Sequence, residues 1–122
     1  MGNSRNFREY PVWKDAIAFS TKVYEITSGM PLDERRGLCS QMQRAAVSIA
    51  SNIAEGCSRS SSNDFTRFLE IALGSAYELE TQLIISFNVN YITKELLEEL
   101  NATIQSIEKQ ISALIGSIKY EK

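Results

Sequence analysis

Histidine is absent from the 122 residues. That removes Ser-His-Asp and Cys-His triads, His-ligated zinc and the Glu-x-x-His motif of di-iron bundles. Proline and cysteine occur twice each and glycine six times, against 43% hydrophobic residues. This balance argues for a packed core and against disorder or a collagen-like chain. No apolar run approaches the ~18 residues of a spanning helix, so no membrane partner is expected. No apolar segment follows Met1 to Asn6, so no signal peptide is read and the expected address is cytoplasmic. If Cys39 and Cys57 share a helix, about 27 Å separates them, whereas a disulfide needs Cα atoms within about 7 Å. They read as small apolar residues of a reduced compartment. No glycine-rich phosphate loop is present, and neither a cofactor nor a small-molecule substrate is expected.

What is present is helical periodicity, interrupted at residues 29–32, 57–60 and 88–92. The breaks give four helices at about 11–28, 33–56, 61–87 and 93–119, in a single domain over residues 1–122. Pro11 suits the first position of the first helix, whose apolar stripe is read as Trp13, Ile17, Val23 and Tyr24. Asp33 is the expected N-cap of the second and Gly56 its stop. Ser61 with Asp64 resembles a capping box for the third, and Thr93 caps the fourth. The fourth carries the clearest stripe, Leu96, Leu100, Ile104, Ile107, Ile111, Leu114 and Ile118. Loops of four or five residues make successive helices antiparallel neighbours. The fold class is therefore all-α, an up-down four-helix bundle, with Phe7 and Tyr10 packing part of the N-terminal arm.

The second helix has an apolar arc about 200° wide, from Ala45 to Val47, where a one-sided helix needs roughly 100°. It is either buried on two sides, with one side against a second subunit, or wrapped inside a monomer. Its remaining arc, Arg44, Ser48, Ser51, Asn52 and Glu55, is either a solvent face or a polar network toward another helix. The run from Ala72 to Ala76 in the third helix permits close approach. Gly74 costs about 1 kcal/mol of helix propensity there, so a packing reason is expected.

The run from Gly37 to Gly56, with Ser48-Ile49-Ala50-Ser51-Asn52-Ile53-Ala54-Glu55-Gly56 at its end, resembles the 23S rRNA intervening-sequence proteins. These are also called four-helix bundle proteins. The resemblance continues through Phe65, Arg67-Phe68-Leu69, Ile71-Ala72, Gly74-Ser75 and Tyr77-Glu78-Leu79, and covers about residues 7–118. Ala50 departs from the proline that many relatives carry. The resemblance implies a ring-like homo-oligomer, a pentamer in known relatives. It makes Ser48, Asn52, Glu55, Gly56, Gly74, Ser75 and Glu78 the motif residues. Some members are encoded within insertions in bacterial 23S rRNA genes, and a similar protein is the accessory subunit of diversity-generating retroelements, beside a reverse transcriptase. Partners implied are a second copy of the chain and RNA, DNA or a nucleic-acid enzyme.

Net charge is −2, which argues against a generally polycationic binder, yet the distribution is uneven. Residues 1–70 carry +1 and residues 71–122 carry −3. Folding the chain up and down gathers Arg5, Arg8, Lys14, Arg59, Arg67, Lys119 and Lys122 at one end with Glu9, Asp15, Glu55, Asp64, Glu70 and Glu121. The other end, with Glu25, Asp33, Glu34, Glu95, Glu98 and Glu99, is acidic. Arg5, Arg8, Arg59 and Arg67 are the candidate nucleic-acid contacts. Alternatively, Arg59 and Arg67 pair with Asp64, Glu55 or Glu70. The sequence order shows no aromatic and basic interleaving of the kind seen in single-strand binding surfaces. Glu70 and Glu78 stand two turns apart, about 12 Å, too far for shared acid–base work. No catalytic residue is expected. The function read from the sequence is a non-catalytic oligomeric scaffold, with a nucleic-acid-binding accessory subunit as the alternative.

Overall fold

The computed structural model describes residues 5–119; Glu121 and Lys122, counted above at the basic end, lie outside the described residues. Four helices follow one another: α1 (Pro11–Thr27), α2 (Leu38–Cys57), α3 (Ser62–Asn88) and α4 (Lys94–Lys119). Single 3₁₀ turns at Phe7–Glu9 and Leu32–Glu34 precede α1 and α2. Consecutive helices pack antiparallel and α1 also touches α4, so the four close an up-down bundle. The α2–α3 seam is the most extensive and the α1–α4 seam the least.

Local chemistry sets the helix ends. Ser61 caps α3 by accepting from the Asp64 N–H at 3.0 Å, and Thr93 caps α4 through the Leu96 N–H at 3.1 Å. α3 stops where Asn90 turns left-handed at φ 68°, with Tyr91 N–H reaching Ser86 O at 2.8 Å and Asn90 N–H reaching Phe87 O at 2.9 Å. That pair of bonds is a Schellman motif, and asparagine tolerates the left-handed position it requires. The start of α2 departs from expectation: it lies at Leu38, not Asp33, with Gly37 as N-cap. The Glu34 carboxylate is the reason. Its Oε1 accepts from the Leu38 N–H at 3.3 Å while Oε2 accepts from the Tyr91 hydroxyl at 2.7 Å. The chain turns tightly over residues 32–37 to bring that carboxylate round. The bond from Glu34 also pushes the Tyr91 phenol above its ordinary pKa.

The core runs the length of the bundle through Val23, Met42, Ile53, Phe65, Leu69, Leu79, Leu83, Ile104, Ile107 and Ile111. In α1 the buried residues are Val12, Ala16, Phe19, Val23 and Thr27, so the expected stripe is corrected: Ile17 and Tyr24 point outward and Trp13 is only half-buried. Thr27 is accommodated because its hydroxyl donates to Val23 O at 2.9 Å and accepts from Gln43 Nε2 at 2.9 Å. Gln43, the one polar interruption in the apolar arc of α2, thus ties α2 to α1. Ile115, outside the expected stripe of α4, is buried where Leu114 is half-buried. Cys39 and Cys57 are buried free thiols, and burial raises both pKa values, which leaves them protonated packing groups. No helix among the described residues is long and apolar enough to cross a membrane.

Candidate nucleic-acid interface and motif face

Most of the broad apolar arc of α2 is spent inside the subunit. Met42, Ala45, Ala46, Ile49, Ala50 and Ile53 are buried; Ala54 is half-buried and Val47 is exposed. The polar arc beside it is a network toward α3, not a plain solvent face. Ser48 Oγ and Ser75 Oγ meet at 2.8 Å across the seam. Asn52 Nδ2 donates to Ser48 O at 2.8 Å and to Ser48 Oγ at 2.9 Å. Small hydroxyls bring the two backbones together, and the asparagine amide keeps the half-buried oxygens satisfied.

Gly56 is the closest approach among the described glycines. A Cβ there would stand 3.0 Å from Phe65 Cδ1, 3.0 Å from Phe68 Cβ and 3.3 Å from Phe65 O. Gly74 is the opposite. Nothing lies within 4 Å of the place its Cβ would take, so the expected packing reason is not met within the subunit. Gly74 belongs to an outer face of α3 on which Ile71, Tyr77, Ile84 and Ile85 are 43%, 53%, 41% and 45% exposed. Glu78 accepts from Gln82 Nε2 at 3.3 Å within the helix. Glu55 pairs with Arg59.

Arg5, Arg8, Arg59 and Arg67 come together at the end of the bundle formed by the N-terminal arm, the α2–α3 turn and the C-terminus of α4. Two of the four arginine–ring contacts, Arg5 on Phe65 and Arg59 on Phe68, join residues apart in sequence, and the other two join neighbours. Arg5 lies 4.4 Å over Phe65 and Arg8 4.5 Å over Phe7, while Arg59 and Arg67 both lie 4.6 Å from the Phe68 ring. The fold therefore pairs arginines with rings that the sequence order does not interleave. Phe65 and Phe68 are buried, so the surfaces left for a ligand are the outer guanidinium edges, not the rings. Arg5 Nη1 also donates to Arg59 O at 2.8 Å, pinning the arm to the α2–α3 turn. Phe7 and Tyr10 anchor the same arm edge-on to Trp13 and Phe65.

Part of this charge is answered locally, as the alternative reading held. Arg59 pairs with Glu55 at 3.4 Å and Arg67 with Asp64 at 3.7 Å. Both pairs are exposed and each is worth at most about 1 kcal/mol. Arg5 and Arg8 have no carboxylate within salt-bridge distance among the described residues. Beside Arg67, a cleft of about 450 Å³ between α3 and α4 is lined by Ser62, Asn63, Thr66, Glu70 and Lys119.

The pattern missed one residue. Glu108 sits on α4 four residues after Ile104 and three before Ile111, inside the apolar stripe, and is 8% exposed. A charge within a stripe is the signal that could have found it. Burial first, then a shared hydrogen bond and repulsion with Glu80 across the seam, push its carboxyl up to about 8. Glu80 also accepts from Gln105 Nε2 at 3.1 Å. Among the described residues no group of three or more metal-ligating side chains gathers.

The chain matches a family model described as 23S rRNA-intervening sequence protein over residues 8–113. A crystal structure of a protein of unknown function from the S23 ribosomal protein family of Bacteroides thetaiotaomicron is similar to it. The two are 28% identical with a TM-score of 0.78, over 85% of this chain and 97% of that one. No curated protein matches.

Proposed function

Because the chain belongs to the 23S rRNA-intervening sequence protein family, we propose that it acts as a non-catalytic helical scaffold assembled into a ring-like homo-oligomer, with five subunits as in the relatives it resembles. The observation that carries this reading is the outer face of α3, where Ile71 and Tyr77 flank the open Gly74 and Ile84 and Ile85 follow about 15 Å further along the helix. Several large exposed apolar side chains along one helix of a small domain mark an interaction surface. The glycine between Ile71 and Tyr77 lets another helix approach closely there. The motif side chains Ser48, Asn52 and Ser75 are engaged in holding α2 to α3, a structural use of groups that would otherwise invite a catalytic reading. Light scattering at micromolar concentration tests the proposal. A mass near five times the 13.7 kDa subunit is expected, and a monomer overturns it.

A second reading, an RNA- or DNA-binding accessory subunit, is favoured by the arginine end. Four guanidiniums held over aromatic rings are pre-positioned, and arginine forks suit phosphate oxygens. A cyclic assembly repeats them around one rim and turns a small local surplus into a ring of charge. Affinity for RNA and DNA should fall steeply with salt and weaken in an Arg5→Ala, Arg8→Ala double variant. Binding without a salt slope, or none at low salt, removes this reading and leaves the scaffold intact.

A further inference from the structure

Two buried acceptors on one flank of α4 lack partners. Glu108 Oε2 and Asn101 Oδ1 are both enclosed and make no hydrogen bond. Seven residues apart, they lie two turns from each other on the same face. Orphaned buried acceptors are uncommon in folded proteins and call for a donor from somewhere. Glu108 lines a cleft of about 370 Å³ open to the outside of the α3–α4 seam. The groups facing it are Tyr77 and Glu80 from α3 and Gln105, Lys109 and Ser112 from α4. Lys109 makes no ion pair with either glutamate among the described residues.

A cation of the right kind stands on another helix. Arg44 is exposed on α2, beside the exposed Val47, and has no carboxylate within salt-bridge distance among the described residues. The Ser48–Ser75 bond fixes the relative heights. From that bond, Arg44 lies four residues and Glu80 five residues toward the same end, about 6 Å and 7.5 Å along the axis. Val47 and Tyr77 also match, at about 1.5 Å and 3 Å.

We propose that the Glu80–Glu108 cleft seats the Arg44 guanidinium of a neighbouring copy of this chain, in a ring whose axis runs parallel to the helices. The proposal rests on the homo-oligomer reading and adds the contact. A rotation about such an axis preserves height, so Arg44 arrives level with the acid pair and Val47 level with Tyr77. The guanidinium presents five donors, enough for Glu108 Oε2 and a Glu80 oxygen together. In the separate subunit Glu108 keeps its proton at neutral pH; docking favours its carboxylate, and the proton passes to water. Association therefore strengthens as pH rises toward about 8, by up to about tenfold per pH unit for each contact, and levels off above it.

Two measurements test this on the full chain. Light scattering across a dilution series compares wild type with Arg44→Glu, Glu80→Arg and the charge-swapped double variant. Each single variant should raise the dissociation constant at least tenfold, and the double variant should recover most of that loss. Calorimetric dilution of wild type at pH 7, in two buffers of different ionisation enthalpy, should show about one proton taken up per contact broken. An oligomer indifferent to Arg44→Glu, or dissociating without proton uptake, overturns the contact while the scaffold reading stands. A wild-type monomer overturns both.

Discussion

On one side of α3, Ser75 meets Ser48 of α2, itself held by Asn52, in a neutral network whose two hydroxyls have partners. On the other side, Glu80 meets Glu108 of α4, and a buried carboxylate oxygen has none. The first seam is closed by small side chains and by Gly56 against Phe65 and Phe68. The second is held apart by long acidic ones and leaves a cleft. Neutral hydroxyls cost little to bury once bonded, whereas a carboxylate costs several kcal/mol, on the order of what a proton or a cation must restore. The difference teaches that the α2–α3 seam is finished within the subunit around Ser48 and Ser75, where the group left unpartnered two turns further along α3 is the neutral Gln82 Oε1, whereas at α3–α4 it is an oxygen of a carboxyl group.

The largest effect is expected where the finished seam is tightest. Gly56→Ala places a methyl 3.0 Å from both phenylalanines, neither of which is free to retreat, and should cost up to about 3 kcal/mol in denaturant titrations. Phe65 and Phe68 carry Arg5, Arg59 and Arg67, so the same change should also lower any nucleic-acid affinity. A cost under 0.5 kcal/mol would mean the seam is looser than its geometry.

The unfinished seam should answer to pH. In the folded, dissociated subunit Glu108 keeps a proton up to about pH 8, while the unfolded chain releases it near the ordinary glutamate value. The folded state thus binds more protons in that window, and stability declines as pH rises from about 4.5 to 8. Glu108→Gln removes the titration. It should gain about 2 kcal/mol at pH 8, the order of an unsatisfied buried charge, and nothing at pH 4.5. Equal slopes in wild type and variant, measured below the concentration of assembly, would refute the assignment. Ser48→Ala is smaller, about 1 kcal/mol and independent of pH, because Asn52 keeps its bond to the Ser48 carbonyl.

The contrast between seams also sorts what the sequence could disclose. Periodicity and capping residues were enough for four helices and their antiparallel order, since Pro11, Ser61 and Thr93 act within a turn of themselves. The start of α2 was not legible, because the carboxylate that accepts its first N–H is that of Glu34, held in place by Tyr91 from 57 residues away. The α1 stripe slipped for a similar reason: Thr27 is buried through Gln43, a partner from another helix. Of the candidate site, arginines at one end followed from up-down topology alone. The stacking of Arg5 on Phe65 depends on how the arm folds back, and that of Arg59 on Phe68 on how the α2–α3 turn closes, which no local pattern encodes.

Gly74 gives the smallest effect, and its sign depends on the environment. In a separate subunit nothing lies within 4 Å of the missing Cβ, so Gly74→Ala should stabilise by about 0.5–1 kcal/mol through reduced backbone freedom in the unfolded chain and better helix propensity. If the outer face of α3 receives another subunit, the added methyl stands where that subunit comes closest, and association should weaken even as the subunit itself becomes harder to unfold. Thermal unfolding below and above the assembly concentration separates the two terms. Stabilisation in both regimes would place the subunit contact away from Gly74, toward the α3–α4 cleft and the exposed Tyr77 beside it. Opposite signs would extend the contact across the whole apolar face, and would give the helix-weakening glycine the packing reason it lacks in a single subunit.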